Sequence, residues 1–237
     1  EGLGQEIWDT GDLLTSFDTF IGWRPWWRRA GKAAVAPRPG TEGIHCDQNP
    51  HTKRGLVCVQ GMVPLLPVAR DVGGLCVVPG SHLEDVQSRI RELFPASTSD
   101  DWLPLQTKYP RDELNFRGEL IEAAPGDLIL WDSRALHGGH VGPGSRVGAP
   151  DTGELARLSF AVCMVPRADA SAKDLQKRAR LVEAGSTTTH WPLGFKKQAG
   201  KDTCGSALAP LSQWQDSYKP PELDAWAQGL IRGPEAC

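Results

Sequence analysis

Apolar residues along this chain gather in short runs punctuated by glycine and proline, and helical spacing is confined to a few segments. Residues 55–63 are almost continuously apolar and read as a strand covered on both faces. Gly74-Leu75-Cys76-Val77-Val78 is a second such run, stopped by Pro79-Gly80. Residues 120–123 and 128–131 predict two more strands joined by the turn Pro125-Gly126-Asp127, and 155–165 predict the last. Upstream, 13–21 read as strand or short helix, 24–43 as loop, and the strand-like pattern begins at Ile44. Leu83, Val86, Ile90 and Leu93 predict a helix over 83–94, with Ser81 as its cap. Residues 170–184 predict another, ended by Gly185, and a short one lies near 221–230. Residues 95–118 read as polar loop and 138–153 as a glycine-rich link. The pattern predicts a mainly β fold with flanking helices in one domain, 1–237. Its parts are an N-terminal segment with a Trp/Arg loop (1–43), a β core (44–167) and a helical extension (168–237).

Composition agrees with many short strands, since the chain holds 26 glycines and 19 prolines. Hydrophobic residues at 40% and charged residues at 23% are those of an ordinary folded domain. The most apolar stretch, 55–68, is too short for a bilayer and is broken by Gln60, Pro64 and Pro67, so no membrane role is expected. A net charge of -3 provides no basic field to collect nucleic acid. The six cysteines lack zinc-site spacing, and Cys58, Cys76 and Cys163 sit in apolar runs as small hydrophobes do. An intracellular, cytoplasmic location follows as the expectation.

The candidate chemistry starts at Ile44-His45-Cys46-Asp47. On a strand, His45 and Asp47 share one face and Cys46 takes the other. A third ligand comes from His137, directly after a hydrophobic strand. Two imidazoles and one carboxylate on one side of a metal leave positions open, which suits Fe(II) oxygen chemistry and not a closed zinc site. Arg157 stands inside an apolar strand, where an unpaired guanidinium is costly. With Ser159 on the same face it can hold a carboxylate through its planar fork; the alternative is an ion pair with an acid of the protein. Gln60 interrupts an apolar strand and is either a cosubstrate contact or a satisfied core polar group. Trp26, Trp27, Arg28 and Arg29 could stack on a planar or anionic substrate, or pack on the core with solvated arginines. Asn49 and His51 are placed at the pocket mouth, just past the ligand strand. His82 reads as a turn residue, His140 as a loop residue close to the pocket, and His190 as packing or capping.

These motifs in this order resemble the phytanoyl-CoA dioxygenase-like family of Fe(II)/2-oxoglutarate oxygenases. The resemblance runs through His45-Cys46-Asp47, Gly73-Gly74-Leu75-Cys76-Val77-Val78-Pro79-Gly80-Ser81-His82, Pro125-Gly126-Asp127-Leu128-Ile129-Leu130-Trp131-Asp132-Ser133 leading to His137, and Arg157. It implies a double-stranded β-helix, a cupin-like jelly roll. It also implies Fe(II) on His45, Asp47 and His137, O2 as oxidant, and 2-oxoglutarate as cosubstrate with its 5-carboxylate on Arg157. The interval from His137 to Arg157 is longer than the family pattern, which keeps Arg146 as a second candidate anchor.

The function expected from this resemblance is hydroxylation of a small organic substrate with release of succinate and CO2. Asp47 favours hydroxylation, because related halogenases carry a small residue there to admit halide. Two other classes stay open. One is an oxygenase of a nucleobase or other polymer, as in ten-eleven-translocation-type enzymes, which the Trp/Arg cluster supports and the acidic charge opposes. The other is a non-enzymatic binding sandwich, which the intact triad opposes.

Overall fold

The computed structural model describes residues 6–18, 20–30, 32–34, 36–94, 101–105, 118–144, 155–186, 188, 190–194 and 219–232. The chain divides into two compact units, Phe20–Phe160 and the pair of segments Glu1–Thr19 and Ala161–Cys237.

The first unit carries β2 (Phe20–Trp23), β3 (Arg29–Ala30), β4 (Ala33–Ala34), β5 (His45–Cys46), β6 (Val59–Pro64) and β7 (Gly73–Val77). After helix α1 (Glu84–Leu93) come β8 (Leu103–Pro104), β9 (Glu119–Leu120), β10 (Ile129–Asp132), β11 (His137–Val141) and the start of β12 (Arg157–Pro166). One sheet runs β2–β12–β6–β10 and the other β8–β5–β11–β7–β9. Successive core strands therefore cross repeatedly from one sheet to the other: β2 in the first, β5 in the second, β6 in the first, β7 and β9 in the second, then β10, β11 and β12 alternating. That is the jelly-roll path expected, a double-stranded β-helix built of antiparallel pairs such as β6–β10, β5–β11 and β7–β11.

Side-chain alternation decides what each face holds. On β5, Cys46 turns into an apolar cluster with Ile44, Cys76, Val78, Leu103 and Leu136, which α1 closes with Ile90 and the following Phe94. Cys46, Cys58, Cys76 and Cys163 are free thiols, all buried.

Several local expectations need correction. The strand expected at 55–63 starts only at Val59, and Leu56 and Val57 are exposed. The cause is Gln48, whose Nε2 donates to the carbonyls of Lys53 and Gly55 at 2.9 and 2.7 Å. It holds that segment as a turn in which Gly55 has φ 79°. The link expected from 138 is instead strand β11, paired along its whole length with β7. A Cβ on Gly138 would stand 2.1 Å from the Gly43 carbonyl oxygen, so the glycine is there for close backbone approach. The loop 24–43 contains the β3–β4 ladder, and the stretch 95–118 contains β8 with Leu103 buried. Ser81 does not cap α1, whose N-cap is Leu83 with no side-chain bond. Ser81 Oγ donates to the Val78 carbonyl and accepts from the Leu136 amide at 2.7 Å, tying β7 to the approach of His137.

The second unit holds β1 (Leu13–Thr15), paired with the end of β12, then α2 (Ala172–Glu183) and α3 (Ala225–Arg232). Ser171 and Asp174 form a reciprocal capping box at the start of α2. Arg178, fully buried on α2, donates to the carbonyls of Thr15, Pro192, Leu230 and Ile231. One side chain thus joins β1, α2, α3 and the 190–194 segment. Among the described residues no helix is long and apolar enough to cross a membrane.

Candidate metal centre

β5 and β11 lie side by side in the second sheet, and His45 and His137 are direct cross-strand partners. Their rings are 4.5 Å apart between centroids. Asp47, one residue past β5, brings its carboxylate to both. Oδ2 lies 3.1 Å from His137 Nε2, and Oδ1 lies 3.7 Å from His45 Nε2. One ligand atom from each residue falls within 4.8 Å of the other two. All three side chains are buried.

Each ring is oriented by its own strand. His45 Nδ1 sits 2.9 Å from the Gly43 carbonyl and His137 Nδ1 sits 2.9 Å from the Ala135 carbonyl. With both Nδ1–H groups donated to backbone, each ring turns its Nε2 toward the Asp47 oxygens. Bare lone pairs facing a carboxylate repel, so the arrangement calls for a cation among them, a proton or a metal ion. Burial disfavours the charged form of His45, yet the Asp47 carboxylate and the Gly43 carbonyl outweigh it and raise the pKa above the ordinary value. The donor set fits a cation, with two imidazoles and one carboxylate on one side.

The opposite sheet supplies the rest. Gln60 on β6 is fully buried and donates from Nε2 to Asp47 Oδ2 at 2.9 Å, while its Oε1 has no hydrogen-bond partner. Its cross-strand partner on β10 is Trp131, whose ring lies 5.3 Å from that of His137 and whose Nε1 also lacks a partner. Two residues along β6, Met62 Sδ meets Arg157 Nη2 at 3.4 Å. Arg157 is 3% exposed, lies over the Trp23 ring at 4.5 Å from its centroid, and has a partnerless Nε. Burial pushes its pKa down to about 10, and among the described residues no carboxylate pairs with it. Ser159, fully buried beside it on β12, has a partnerless Oγ. The protein-acid alternative for Arg157 is therefore not what the structure shows. A cationic end at Arg157 and Ser159, and a carboxylate-imidazole end at Asp47, with Gln60, Met62 and Trp131 between, fit a ligand that is an anion at one end and a metal chelator at the other.

The other expected site residues are placed as follows. Trp26 is buried, edge-on to Trp23 at 5.9 Å and to Trp27 at 4.7 Å, in a cluster with Val72 and Ala156. Trp26 packs against Trp23 and Trp27 is partly buried; the Arg28 amide donates to the Pro25 carbonyl. Asn49 is not at an open mouth but fully buried, and its Oδ1 accepts from the amides of His51 at 2.9 Å and Thr52 at 3.3 Å. That oxygen is engaged in an Asx-type turn. His51 Nε2 lies 2.8 Å from the Phe94 carbonyl. His140 is on β11, exposed and on the face opposite His137. Arg146 falls outside the described residues. Two aromatic neighbours of the triad were missed by reading the sequence, Trp131 and Trp102, the latter with its ring 6.2 Å from that of His45. Alternation alone puts Trp131 on one face or the other, and only the register with Gln60 aims it at His137. Trp102 hid in a segment that looks like loop.

A comparison with known proteins bears on this geometry. A curated relative, "Ava biosynthesis cluster protein O" of Aspergillus versicolor, is 29% identical over 204 residues, which is 79% of this chain and 58% of the relative. The chain thus spans little more than half the length of that relative. Among solved structures, the epimerase SnoN in complex with Fe3+, alpha ketoglutarate and nogalamycin RO matches with a TM-score of 0.36 at 16% identity, over 65% of this chain and 47% of that one. AviO1 from Streptomyces viridochromogenes Tue57 matches with a TM-score of 0.36 at 17% identity, over 67% and 53%. The profile of the phytanoyl-CoA dioxygenase family matches residues 16–148, more than half of the 237. With that match, and with the histidine–aspartate–histidine group in place, the chain belongs to the phytanoyl-CoA dioxygenase family, oxygenases that use iron and 2-oxoglutarate.

Proposed function

We propose that this chain hydroxylates a small organic substrate, with iron on His45, Asp47 and His137 and 2-oxoglutarate anchored by Arg157 and Ser159. The observation that carries this reading is the buried guanidinium of Arg157, which pairs with no carboxylate among the described residues and meets Met62, two residues along β6 from the Gln60 that bonds Asp47. A dicarboxylate cosubstrate answers both needs at once: its distal carboxylate neutralises Arg157 and its other end reaches the metal. Bound iron supplies oxygen activation at the positions the three ligands leave open. The protein's own part is orientation. The Gly43 and Ala135 carbonyls hold the two rings, and Gln60 Nε2 fixes the Asp47 carboxylate. Met62 lies against Arg157 and Trp131 beside His137, an apolar neighbour at each end. Retention of Asp47 supports hydroxylation over halogenation. A small substrate is supported by the biosynthesis-cluster name of the relative and by the net charge of -3, which opposes a polyanion.

The test is metal binding and succinate release together. Wild type is expected to bind Co(II) stoichiometrically and, with Fe(II) and O2, to form succinate from 2-oxoglutarate. A small-molecule library should then yield a product heavier by one oxygen. Asp47→Ala is expected to lose both metal and turnover while keeping its circular dichroism. Wild-type metal affinity and turnover in that variant would remove Asp47 from the site and the reading with it.

A further inference from the structure

We infer that Trp102 contacts the substrate, stacking its indole on a planar apolar ring held over the metal centre; this rests on the iron reading above. β8 pairs with β5 so that Pro104 stands opposite His45 and Leu103 opposite Cys46. One step further along the same antiparallel register sets Trp102 opposite Asp47. Alternation then sorts the four residues. Leu103 goes with Cys46 into the apolar cluster under α1, and Trp102 goes with His45 and Asp47 to the metal side. The Trp102 ring is 6.2 Å from the His45 ring between centroids, tilted by 49°.

The indole is 44% exposed although its backbone is firmly held. On one side Asp101 takes Lys53 Nζ at 2.7 Å and the Asn49 amide at 3.3 Å. On the other, Leu103 and Leu105 are buried and the Leu105 amide donates to the Ile44 carbonyl at 3.1 Å. An exposed tryptophan on an anchored strand beside a metal ligand is apolar area the fold itself has not covered. The acid beside it, Asp101, is already engaged by Lys53, which leaves the indole face as what this stretch of β8 offers next to His45. Trp131 lies beside His137 at 5.3 Å between ring centroids, so each histidine of the triad has an indole next to it. A flat apolar ring is the ligand shape such a face rewards, through contact area and offset or edge-on ring geometry.

The probes are 2-naphthol and its saturated, non-planar counterpart decahydro-2-naphthol. They are titrated into Zn(II)- and 2-oxoglutarate-loaded protein with 15N-labelled tryptophan. The Trp102 indole signal, identified by its loss in Trp102→Phe, should shift saturably with 2-naphthol. The decahydro compound should bind at least about tenfold more weakly. In Trp102→Ala, read on the Trp131 indole, naphthol affinity should fall about tenfold, and Trp102→Phe should restore most of it. Equal affinity for the two probes, or unchanged naphthol affinity in Trp102→Ala, overturns the inference. Zn(II) and 2-oxoglutarate are titrated first: a protein that takes neither overturns the iron reading and this one together. One that takes both but binds naphthol regardless of Trp102 overturns this one alone.

Discussion

Arg157 shows how one residue can be selected against stability. Its guanidinium is buried with sulfur and an indole as neighbours, and its Nε and the Ser159 hydroxyl go without partners. Each of those conditions costs free energy in the ligand-free protein. Arg157→Met should therefore melt at or above the wild-type temperature without ligand, yet gain nothing from added 2-oxoglutarate. Arg157→Ala should weaken 2-oxoglutarate about tenfold or more, and Arg157→Lys less, since lysine keeps the charge but not the fork. Calorimetric titration of the metal-loaded variants checks both, and wild-type affinity in Arg157→Ala would clear Arg157 of the role. Cys46 is the opposite case, a reactive group silenced by its place between two ligands. Burial pushes its pKa up to about 12, and its thiol points at the Gln48 and Arg134 carbonyls at 3.2 and 3.6 Å. At pH 8 about one molecule in ten thousand carries the thiolate, the form that reacts. Native protein treated with iodoacetamide should show Cys46 unmodified by peptide mass mapping, with full modification after unfolding. Rapid native labelling would contradict that burial.

At the scale of elements, β11 carries the consequence. Gly138 sits between the ligand His137 and the backbone of Gly43, where a Cβ would fall 2.1 Å from a carbonyl oxygen. Gly43 also provides the carbonyl that orients His45, so pushing these strands apart disturbs both histidines. Gly138→Ala should destabilise the fold toward the upper end of the roughly 1–3 kcal/mol seen for overpacking. It should also weaken metal binding more than a comparable substitution on an exposed strand; urea denaturation and Co(II) titration read the two effects. The same glycines explain why this strand read as a link: Gly138-Gly139 lacks the β-branched bulk that marks a strand, and here the small residue answers a tertiary contact invisible in one sequence. By contrast β6, β7, β10 and β12 were legible because their apolar runs and flanking turns are local signals. The start of β6 was misjudged because the Gln48 side chain winds the preceding turn, a bond that the apolar pattern does not show. Arg178 was unreadable for a similar reason, since a charged residue in a helical pattern looks solvated until four carbonyls are found around it.

At the scale of the whole molecule, His45, Asp47, His137, Gln60, Trp131, Arg157 and Ser159 all belong to the unit Phe20–Phe160. A ligand that binds only the folded form raises stability by mass action. At a hundredfold excess over its dissociation constant it adds about 2.7 kcal/mol. Mn(II) with 2-oxoglutarate should raise the melting temperature by roughly 5–10 °C in differential scanning calorimetry, in the transition that includes this unit. No shift in wild type, or an equal shift in Asp47→Ala, would place the ligands elsewhere. The triad itself was legible in the sequence because its residue types are rare in that combination. The substrate side was not, because Trp26 and Asn49 are indistinguishable from surface residues until packing is known, and Trp102 depends on a two-residue strand.

Asp47 and His137 are 90 residues apart in the chain but 3.1 Å apart in space. An unfolded chain keeps only His45 and Asp47 close together, two of the three, too little to hold a divalent ion against water. The centre comes into being when β11 zips against β5, a long-range pairing of the kind that makes antiparallel β proteins slow to fold. Metal therefore arrives as a passenger, not as a template: it cannot steer the search for the native state, and it boards only a chain whose search is over. For a redox-active ion this sequence of events acts as a safeguard, since no half-built cradle exposes it to oxygen while the chain is still open.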